Sequence, residues 1–344
     1  MNLSYIKTVR LLLAVAPTIF KDSPFVLKGG TAINLFLRDM PRLSVDLDLV
    51  VADHRLSRDE AFRLISSALD SMAAELSKAG YVCEVGATRD GDEVKLFIQQ
   101  DRTRLKVEVN HVFRGTVLPT GLCSLVPRAQ EAFRTDLQLP VLHADELYGS
   151  KLVAAMDRQH PRDLFDVMGL YANGGLTPGM VECFVCYLAG HNRPVHEVLF
   201  GNEVEITAAF ANEFSGMTSD VVTLEALLAV RRRLFVELPA GLTLDQRAFL
   251  CGLVSGEPDW RLMQCGHLAE MPAIRWKLEN IRKLKKRTQK SSKLRRRHWT
   301  PVFKGCCRPR LRHLMAHHLQ ATEQQGLCDE QHIRAHGGGL RGEL

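Results

Sequence analysis

Residues 27–49 decide the fold of this chain and read LKGGTAINLFLRDMPRLSVDLDL. A short apolar strand ends in two glycines, and Thr31 stands where it can cap the helix that follows. Apolar and polar residues then alternate over 43–49, which predicts a second strand whose successive side chains point to opposite faces. Asp46 and Asp48 therefore share one face, about 7 Å apart along the strand. The stretch predicts a strand, a turn, a helix and a second strand that carries two neighbouring carboxylates.

The carboxylate pair and the glycine turn together indicate nucleotide chemistry. Two carboxylates this close repel each other unless a cation lies between them, and Mg²⁺ accepts one or two protein carboxylates while water and phosphate supply its other ligands. The backbone N–H groups of Gly29 and Gly30 open a helix and can approach a phosphate closely. Taken alone, Asp46 and Asp48 would equally fit a solvated strand face, so the prediction depends on the turn beside them.

A third acid, Glu108, lies on another strand-like segment. Residues 104–110 alternate in the same way, and their apolar members define a face opposite to Glu108. If this strand lies beside the one that carries Asp46, three carboxylates converge and can hold two metal ions for an in-line displacement at phosphorus. An exposed strand position is the alternative for Glu108 alone.

A second charged cluster begins at Lys151 on a predicted helix. Arg158 and Arg162 follow it, and with Lys151 they could neutralise a triphosphate. Asp163 and Asp166 stand three residues apart, on one face of the next helix. The alternative is a pair of amphipathic helices with surface salt bridges, which contribute little stability.

The remaining pattern predicts an α+β chain with two folded domains and a tail. Apolar spacing typical of helices occurs over 2–20 and 59–79, and further strands are expected over 94–99 and 104–110. From residue 143 onward the periodicity is almost wholly helical. We therefore expect an α/β domain over residues 1–125, a mainly helical domain over 126–286, and a basic, disordered tail over 287–344.

The composition excludes several classes of protein. With 46% hydrophobic and 24% charged residues, the chain is globular rather than wholly disordered. No uninterrupted apolar run reaches the roughly 18–20 residues of a membrane span, and Pro17 breaks the apolar segment near the N-terminus. The nine cysteines are scattered and odd in number, unlike a disulfide framework. We expect a reduced, cytoplasmic protein with no membrane partner.

The net charge of +6 is the sum of two unlike parts. Residues 282–344 hold 16 Lys and Arg against 4 Asp and Glu, a net charge of +12, which leaves −6 for residues 1–281. A cationic run of this kind binds phosphate backbones without reading sequence. The alternative is an extension without function. The case for a nucleotide substrate therefore depends on the acids of the body and not on the tail.

Three blocks of the sequence resemble one known family. Residues 27–49 are similar to the nucleotidyltransferase signature of the AbiEii/AbiGii toxin family, whose fold is that of the DNA-polymerase-β-like nucleotidyltransferases. Residues 151–166 look like its second signature, and residues 249–278 contain a third similar block in the same order. The resemblance implies a polymerase-β-like domain, built from a mixed sheet with flanking helices, followed by a mainly helical domain.

The resemblance also implies roles for individual residues. The catalytic residues that it implies are Asp46, Asp48, Glu108, Lys151 and Asp163. The first three would be metal ligands, Lys151 would stabilise the charge on the leaving group, and Asp163 would support the site. Its nucleotide-binding set is Lys28, Gly29, Gly30, Thr31, Ser44, Arg158, Arg162 and Asp166, the last also being an alternative to Asp163. Many polymerase-β-like enzymes have Gly-Ser at the turn, where this chain has Gly-Gly-Thr, and the Thr31 hydroxyl can still donate.

The function that the resemblance implies is a Mg²⁺-dependent nucleotidyltransferase with two bound ions. It would move a nucleoside monophosphate from an NTP to an RNA hydroxyl, with the tRNA acceptor end as the expected target. Its biological role would be the toxin of a toxin–antitoxin or phage-defence pair with a separately encoded antitoxin. Two alternatives stay open: a small-molecule nucleotidyltransferase or phosphotransferase, and a non-catalytic nucleotide-binding regulator.

Overall fold

The computed structural model describes residues 2–87, 93–110 and 113–292, and Met1–Lys285 form one compact unit. Within these ranges, seven strands form one mixed sheet in the order β3-β4-β5-β2-β1-β7-β6. The strands are β1 Phe25–Lys28, β2 Asp46–Val51, β3 Val82–Ala87, β4 Glu93–Gln100, β5 Thr103–Asn110, β6 Gly121–Ser124 and β7 Gln138–Val141.

Helices flank the sheet and make up most of the described residues after β7. Those in the described ranges are α1 Leu3–Phe20, α2 Gly29–Ala32, α3 Arg58–Lys78, α4 Pro127–Phe133, α5 Ala144–Asp157, α6 Pro161–Tyr171, α7 Pro178–Gly190, α8 Val195–Leu199, α9 Thr207–Ala209, α10 Leu224–Gly241, α11 Leu244–Val254 and α12 Pro272–Ser292. Both α2 and α9 continue directly into a π-helical turn, at Ile33–Leu37 and Phe210–Phe214 respectively.

The centre of the sheet joins the two predicted carboxylate strands. Strand β2 runs antiparallel to β1 and parallel to β5, so the strand of Glu108 lies directly beside the strand of Asp46. Leu47 and Leu49 of β2 are fully buried, as the alternation predicted. The mixed sheet with flanking helices confirms the predicted α+β class.

Strand β2 begins three residues later than predicted. Leu43 donates its backbone N–H to the carbonyl of Met217 at 2.8 Å, and Arg42 forms an isolated β-bridge with Thr218. These contacts take the chain before Asp46 away from the sheet ladder. Val45, expected in the core, is accordingly only half-buried.

Helix α3 agrees closely with its predicted range. Ser57 and Glu60 form a reciprocal capping box at its N-terminus, and the capping interactions stabilise the first turn. Apolar residues recur three and four apart in this helix, which predicts one buried face, and those from Ile65 to Leu76 are buried. Phe62 has the same spacing but is 43% exposed.

The sheet extends beyond the predicted domain boundary. Strand β7 lies after residue 125 and pairs with β1 and β6, and neither β6 nor β7 was predicted. The division of residues 1–286 into two domains stays a prediction. Helix α12 continues to Ser292, into the predicted tail, and the rest of that tail lies outside the described residues.

Helix α1 is long and apolar enough to cross a membrane by length and composition. In the fold it contacts β5 and α3, and Leu12, Val15 and Ile19 of this helix are fully buried. Burial against a sheet and a helix accounts for this apolar character within the fold.

Helices α5 and α7 cross closely at Gly149. A Cβ built on Gly149 would lie 2.5 Å from the Cβ of Cys183 and 2.8 Å from the backbone nitrogen of Phe184. Backbone atoms cannot move aside as a flexible side chain can, so the crossing requires glycine on α5.

We predict that Gly149→Ala lowers the free energy of unfolding by roughly 1–3 kcal/mol, the usual cost of overpacking. Urea unfolding of the full chain measures the change. Gly241→Ala is the control, because Gly241 ends α10 and a Cβ there meets nothing within 4 Å. Equal losses in the two variants would contradict this explanation of Gly149.

Candidate active site

Four strands align a row of charged side chains across one face of the sheet. Strand register pairs Lys28 of β1 with Asp48 of β2, Asp48 with Glu108 of β5, and Glu108 with Lys95 of β4. Adjacent strands lie about 4.8 Å apart, so each charge is next to one or two others. Asp46 lies on the same face, because it precedes Asp48 by two residues.

Glu108 is held by two lysines. Its Oε1 lies 2.6 Å from Lys95 Nζ, and its Oε2 lies 2.7 Å from Lys106 Nζ. Burial raises the pKa of Glu108, but hydrogen bonds from Lys106 and Lys95 outweigh it and bring the pKa below its ordinary value. The expected third acid is thus in register beside Asp48 with both oxygens in ion pairs, and its role as a metal ligand stays a prediction.

Asp46 and Asp48 differ in their surroundings. The carboxylate oxygens of Asp46 lie 3.7 Å from Lys106 Nζ and 3.5 Å from Arg162 Nη1, which are long ion pairs. Among the described residues, no cation comes within 4 Å of Asp48, which instead packs against Gly29. A Cβ on Gly29 would lie 2.2 Å from Asp48 Oδ2, and the φ of +75° also favours glycine there.

The pKa of Asp48 reflects this lack of a partner. Burial is the largest influence and raises the pKa of Asp48, while the charge of Lys28 lowers it. Repulsion from Asp46 and Glu108 raises the pKa further, and the net shift is upward. The charged form of Asp48 is therefore disfavoured by the fold itself.

A divalent cation fits this pair of carboxylates. Asp46 and Asp48 would hold it, and its charge would relieve the repulsion that raises the pKa of Asp48. Within the described ranges, no group of three or more His, Cys, Asp or Glu side chains is arranged to hold a metal ion. A cation at Asp46 and Asp48 would then take its other ligands from water and phosphate, as Mg²⁺ commonly does.

The glycine turn opens α2 directly beside the carboxylates. Lys28 is the N-cap residue and makes no side-chain hydrogen bond to the helix start. A Cβ on Gly30 would lie 2.7 Å from Arg42 Nη2 and 3.0 Å from Ser44 Oγ, so Gly30 allows both side chains to pack under the turn. Ser44 is buried at this position, beneath the turn.

The side chain of Thr31 is bonded within the fold. Its buried hydroxyl donates a hydrogen bond to the carbonyl oxygen of Asp46. The hydroxyl fixes the start of β2 relative to α2, and a contact of Thr31 with phosphate stays a prediction. Thr31 therefore positions Asp46.

Lys151 lies in a buried ionic network instead of facing the open site. Its Nζ is 2.8 Å from Asp163 Oδ1 and 3.0 Å from Asp166 Oδ2, and its side chain is only 6% exposed. Burial lowers the pKa of Lys151, but the charges of Asp163 and Asp166 raise it above its ordinary value. Lys151 joins α5 to α6 through these ion pairs, and its contact with the leaving charge stays a prediction.

Asp166 is the most fully bonded acid of this network. Arg42 donates to both of its oxygens, at 2.8 and 2.7 Å, and Asn34 donates to Oδ1 at 3.1 Å. With Lys151 included, its carboxylate is saturated by protein donors, so a nucleotide contact by Asp166 would have to replace one of them. Asp166 instead ties α6 to the turn after α2 and to the loop before β2.

The arginines expected to bind phosphate stand at the edge of this network. Arg158 donates to Asp163 Oδ2 at 2.6 Å, yet its side chain is 60% exposed. Arg162 reaches Asp46 at 3.5 Å. Both guanidinium groups are therefore held by the acids of the site and remain accessible to an anion.

Sequence reasoning missed four residues of the site. Arg42 and Asn34 lie within the first block, and Asn34 follows Gly30 by one helical turn. Lys106 precedes Glu108 by two residues, so both lie on one face of the strand. This spacing could have predicted that Lys106 lies beside Glu108. Lys95 reaches Glu108 only through strand pairing, so nothing in its own segment indicated a role.

Comparison with known proteins places the chain in a family. The family model of the nucleotidyl transferase AbiEii toxin, from type IV toxin–antitoxin systems, matches residues 10–280. This match covers most of the 344 residues, so the chain belongs to that family and is a nucleotidyltransferase toxin, as the three sequence blocks predicted. The family implies an NTP substrate and an antitoxin partner.

A solved structure shares the fold. MenT4, a nucleotidyltransferase toxin from Mycobacterium tuberculosis H37Rv, aligns with a TM-score of 0.55 and 22% sequence identity over 81% of this chain and 92% of its own. At this identity the match supports the fold. No curated protein sequence matches the chain.

We predict that Asp166→Asn lowers the free energy of unfolding by roughly 3–5 kcal/mol at pH 7, because it leaves Arg42 and Lys151 buried with too little negative charge. The control, Asp53→Asn, removes an exposed pair with Arg55 and should cost no more than about 1 kcal/mol. Urea unfolding compares the two variants with the wild type.

The loss caused by Asp166→Asn should shrink in acid. Burial raises the pKa of Asp166, but Arg42 and Lys151 lower it below its ordinary 3.8. The stability contributed by this carboxylate is fully present above its ordinary pKa, and it is lost as the pH falls from there through the lower pKa of the folded state. A difference between wild type and variant that stays constant from pH 7 to pH 3 would contradict the assignment.

Proposed function

We propose that this toxin transfers a nucleoside monophosphate from an NTP to a hydroxyl of RNA, with the tRNA acceptor end as its target. Mg²⁺ would be held by Asp46 and Asp48, with a second ion when Glu108 joins them. The observation that carries the proposal is the carboxylate pair itself. Asp48 has no described cation partner, is repelled by its neighbours, and lies against the glycine turn that opens α2.

The triphosphate would lie over the glycine turn. The N-terminus of α2 presents backbone N–H groups with no side-chain cap, and such groups bind phosphate oxygens. Lys28 precedes the turn, and the accessible guanidinium groups of Arg158 and Arg162 flank the acids. These three cations would neutralise the phosphates and hold them beside Asp46 and Asp48.

The transfer itself is a displacement at the α-phosphorus. The acceptor hydroxyl oxygen forms the new P–O bond and loses its proton, the bond to the bridging oxygen breaks, and pyrophosphate leaves in line. Bound Mg²⁺ would neutralise the developing charge and orient the phosphates. Lys151 and Asp163 serve this step indirectly, because they fix Arg158 and the end of α5.

The proposed biological setting is the cytoplasm, where the toxin would meet NTPs, RNA and its separately encoded antitoxin. A role in phage defence is part of the same proposal. Expression of the chain without its antitoxin should inhibit growth, and Asp46→Asn should abolish this inhibition. A fully toxic Asp46→Asn variant would favour nucleotide binding over catalysis as the basis of toxicity.

The acceptor class is tested by label transfer. The full chain is incubated with each α-labelled NTP in turn, together with total RNA or with small-molecule acceptors. We expect label in RNA, concentrated in the tRNA fraction. Label that enters only small acceptors would support the small-molecule alternative and contradict an RNA target.

We predict that Asp48→Asn reduces label transfer by more than about 100-fold, since loss of outer partners of a metal site alone costs about 10–100-fold. The free energy of unfolding of this variant should not fall. The substitution removes the repulsion from Asp46 and Glu108, and it does not leave a buried cation without its ion-pair partner. Asp70→Asn, at an exposed acid of α3, is the matched control and should transfer normally. Chelation should abolish wild-type transfer and added Mg²⁺ should restore it; transfer that persists in Asp48→Asn would contradict the proposal.

A further inference from the structure

A cleft opens beside Asp46 on the side away from the glycine turn. Its volume is about 270 Å³, just below the roughly 300–1,000 Å³ of pockets for drug-sized ligands, so it has room for a small group such as a single nucleoside. Helix α1, β4 and β5 contribute its walls, and the lining includes Tyr5, Thr8, Asp46, Phe97, Arg104 and Lys106.

The lining combines a planar stacked pair with polar groups. The guanidinium carbon of Arg104 lies 4.0 Å from the centre of the Phe97 ring, and Glu84 holds the same guanidinium at 3.1 Å. Unpaired RNA bases stack on aromatic rings and on arginine planes of this kind. The Lys106 ammonium pairs with Glu108 at 2.7 Å and can also donate to a phosphate, and the Thr8 hydroxyl, which donates to the carbonyl of Ser4, can accept from a ribose hydroxyl.

The order of the strands separates this cleft from the proposed phosphate site. The glycine turn follows β1, whereas Phe97 lies on β4 and Arg104 on β5. Strand β2, with its two carboxylates, lies between them, because the order is β4-β5-β2-β1. An in-line displacement places the nucleophile and the leaving pyrophosphate on opposite sides of the transferred phosphorus. The cleft therefore lies on the side where the nucleophile must approach.

We propose that this cleft binds the 3′-terminal nucleoside of the RNA acceptor, with its base on the Arg104–Phe97 pair and its ribose hydroxyls towards Asp46. The inference rests on the proposed transfer to RNA and assigns the acceptor subsite within it. Arg104 and Phe97 are binding residues for the acceptor, and Lys106 neutralises the terminal phosphodiester.

The test compares two short single-stranded RNAs that end in a free 3′ hydroxyl, one intact and one lacking only its terminal base. Binding of each to the full chain is measured by fluorescence anisotropy. We expect the wild type to bind the intact RNA roughly 5- to 150-fold more tightly, the usual effect of one stacked base. Arg104→Ala should weaken binding of the intact RNA by a similar factor. The variant should then bind the two RNAs with nearly equal affinity.

Two further variants separate stacking from charge. Arg104→Lys keeps the charge without the planar group, so it should lose the discrimination as Arg104→Ala does. Arg102→Ala removes a nearby exposed cation that does not line the cleft, so this variant should still bind the intact RNA more tightly than the RNA without its terminal base. The half-exposed Arg104 side chain is not part of the core, and thermal unfolding verifies that each variant is folded.

The proposal is overturned if the wild type binds both RNAs equally or not at all, or if the effects of base removal and Arg104→Ala are additive. It is also overturned if Arg104→Ala weakens NTP binding instead, because the cleft would then belong to the donor. Label transfer to RNA by the wild type tests the underlying function separately. Normal transfer with unchanged RNA binding by Arg104→Ala would reject only the acceptor subsite.

Discussion

The burial of Asp48, together with its repulsion by Asp46 and Glu108, is the constraint on which the site depends. The β-strand places both carboxylates on one face, and the partner strands add Glu108 to the same row. Lysines compensate Glu108, long ion pairs partly compensate Asp46, and within the described chain Asp48 has no cation in ion-pair contact. Because the fold raises the pKa of Asp48, the ionised carboxylate lowers the stability of the folded state at neutral pH. A bound divalent cation would restore that stability.

A buried network holds this unfavourable arrangement in place. Asp166 receives hydrogen bonds from Arg42 and Asn34 and an ion pair from Lys151, so one carboxylate connects α6, the loop before β2, the turn after α2 and α5. Thr31 adds a bond from α2 to the backbone of Asp46. Because removal of a charged partner such as Arg42 or Asp166 leaves a buried charge uncompensated, these elements keep their positions around the carboxylates. The network supplies rigidity, and the exposed Arg158 and the partly exposed Arg162 at its edge remain available to a substrate.

The sequence predicted those features that local periodicity determines. Alternation placed Asp46 and Asp48 on one face, and the same rule put Glu108 on the polar face of β5. Helical spacing identified α3 and most later helices. Periodicity could not predict contacts between segments that are distant in sequence. Arg42 contacts Asp166, 124 residues away, and Lys95 reaches Glu108 only through strand pairing. For the same reason the protein partners of Lys151 and Thr31 were not predicted, namely Asp163 for Lys151 and the carbonyl of Asp46 for Thr31.

Divalent cation binding tests the central claim most directly. Mn²⁺ can replace Mg²⁺ as a paramagnetic probe, and its binding to the full chain can be titrated by electron paramagnetic resonance in the presence of a non-hydrolysable NTP analogue. We expect the wild type to bind Mn²⁺ and Asp48→Asn to lose this binding while it remains folded. Equal Mn²⁺ affinity in the two proteins would show that the repelled carboxylate pair does not hold the metal.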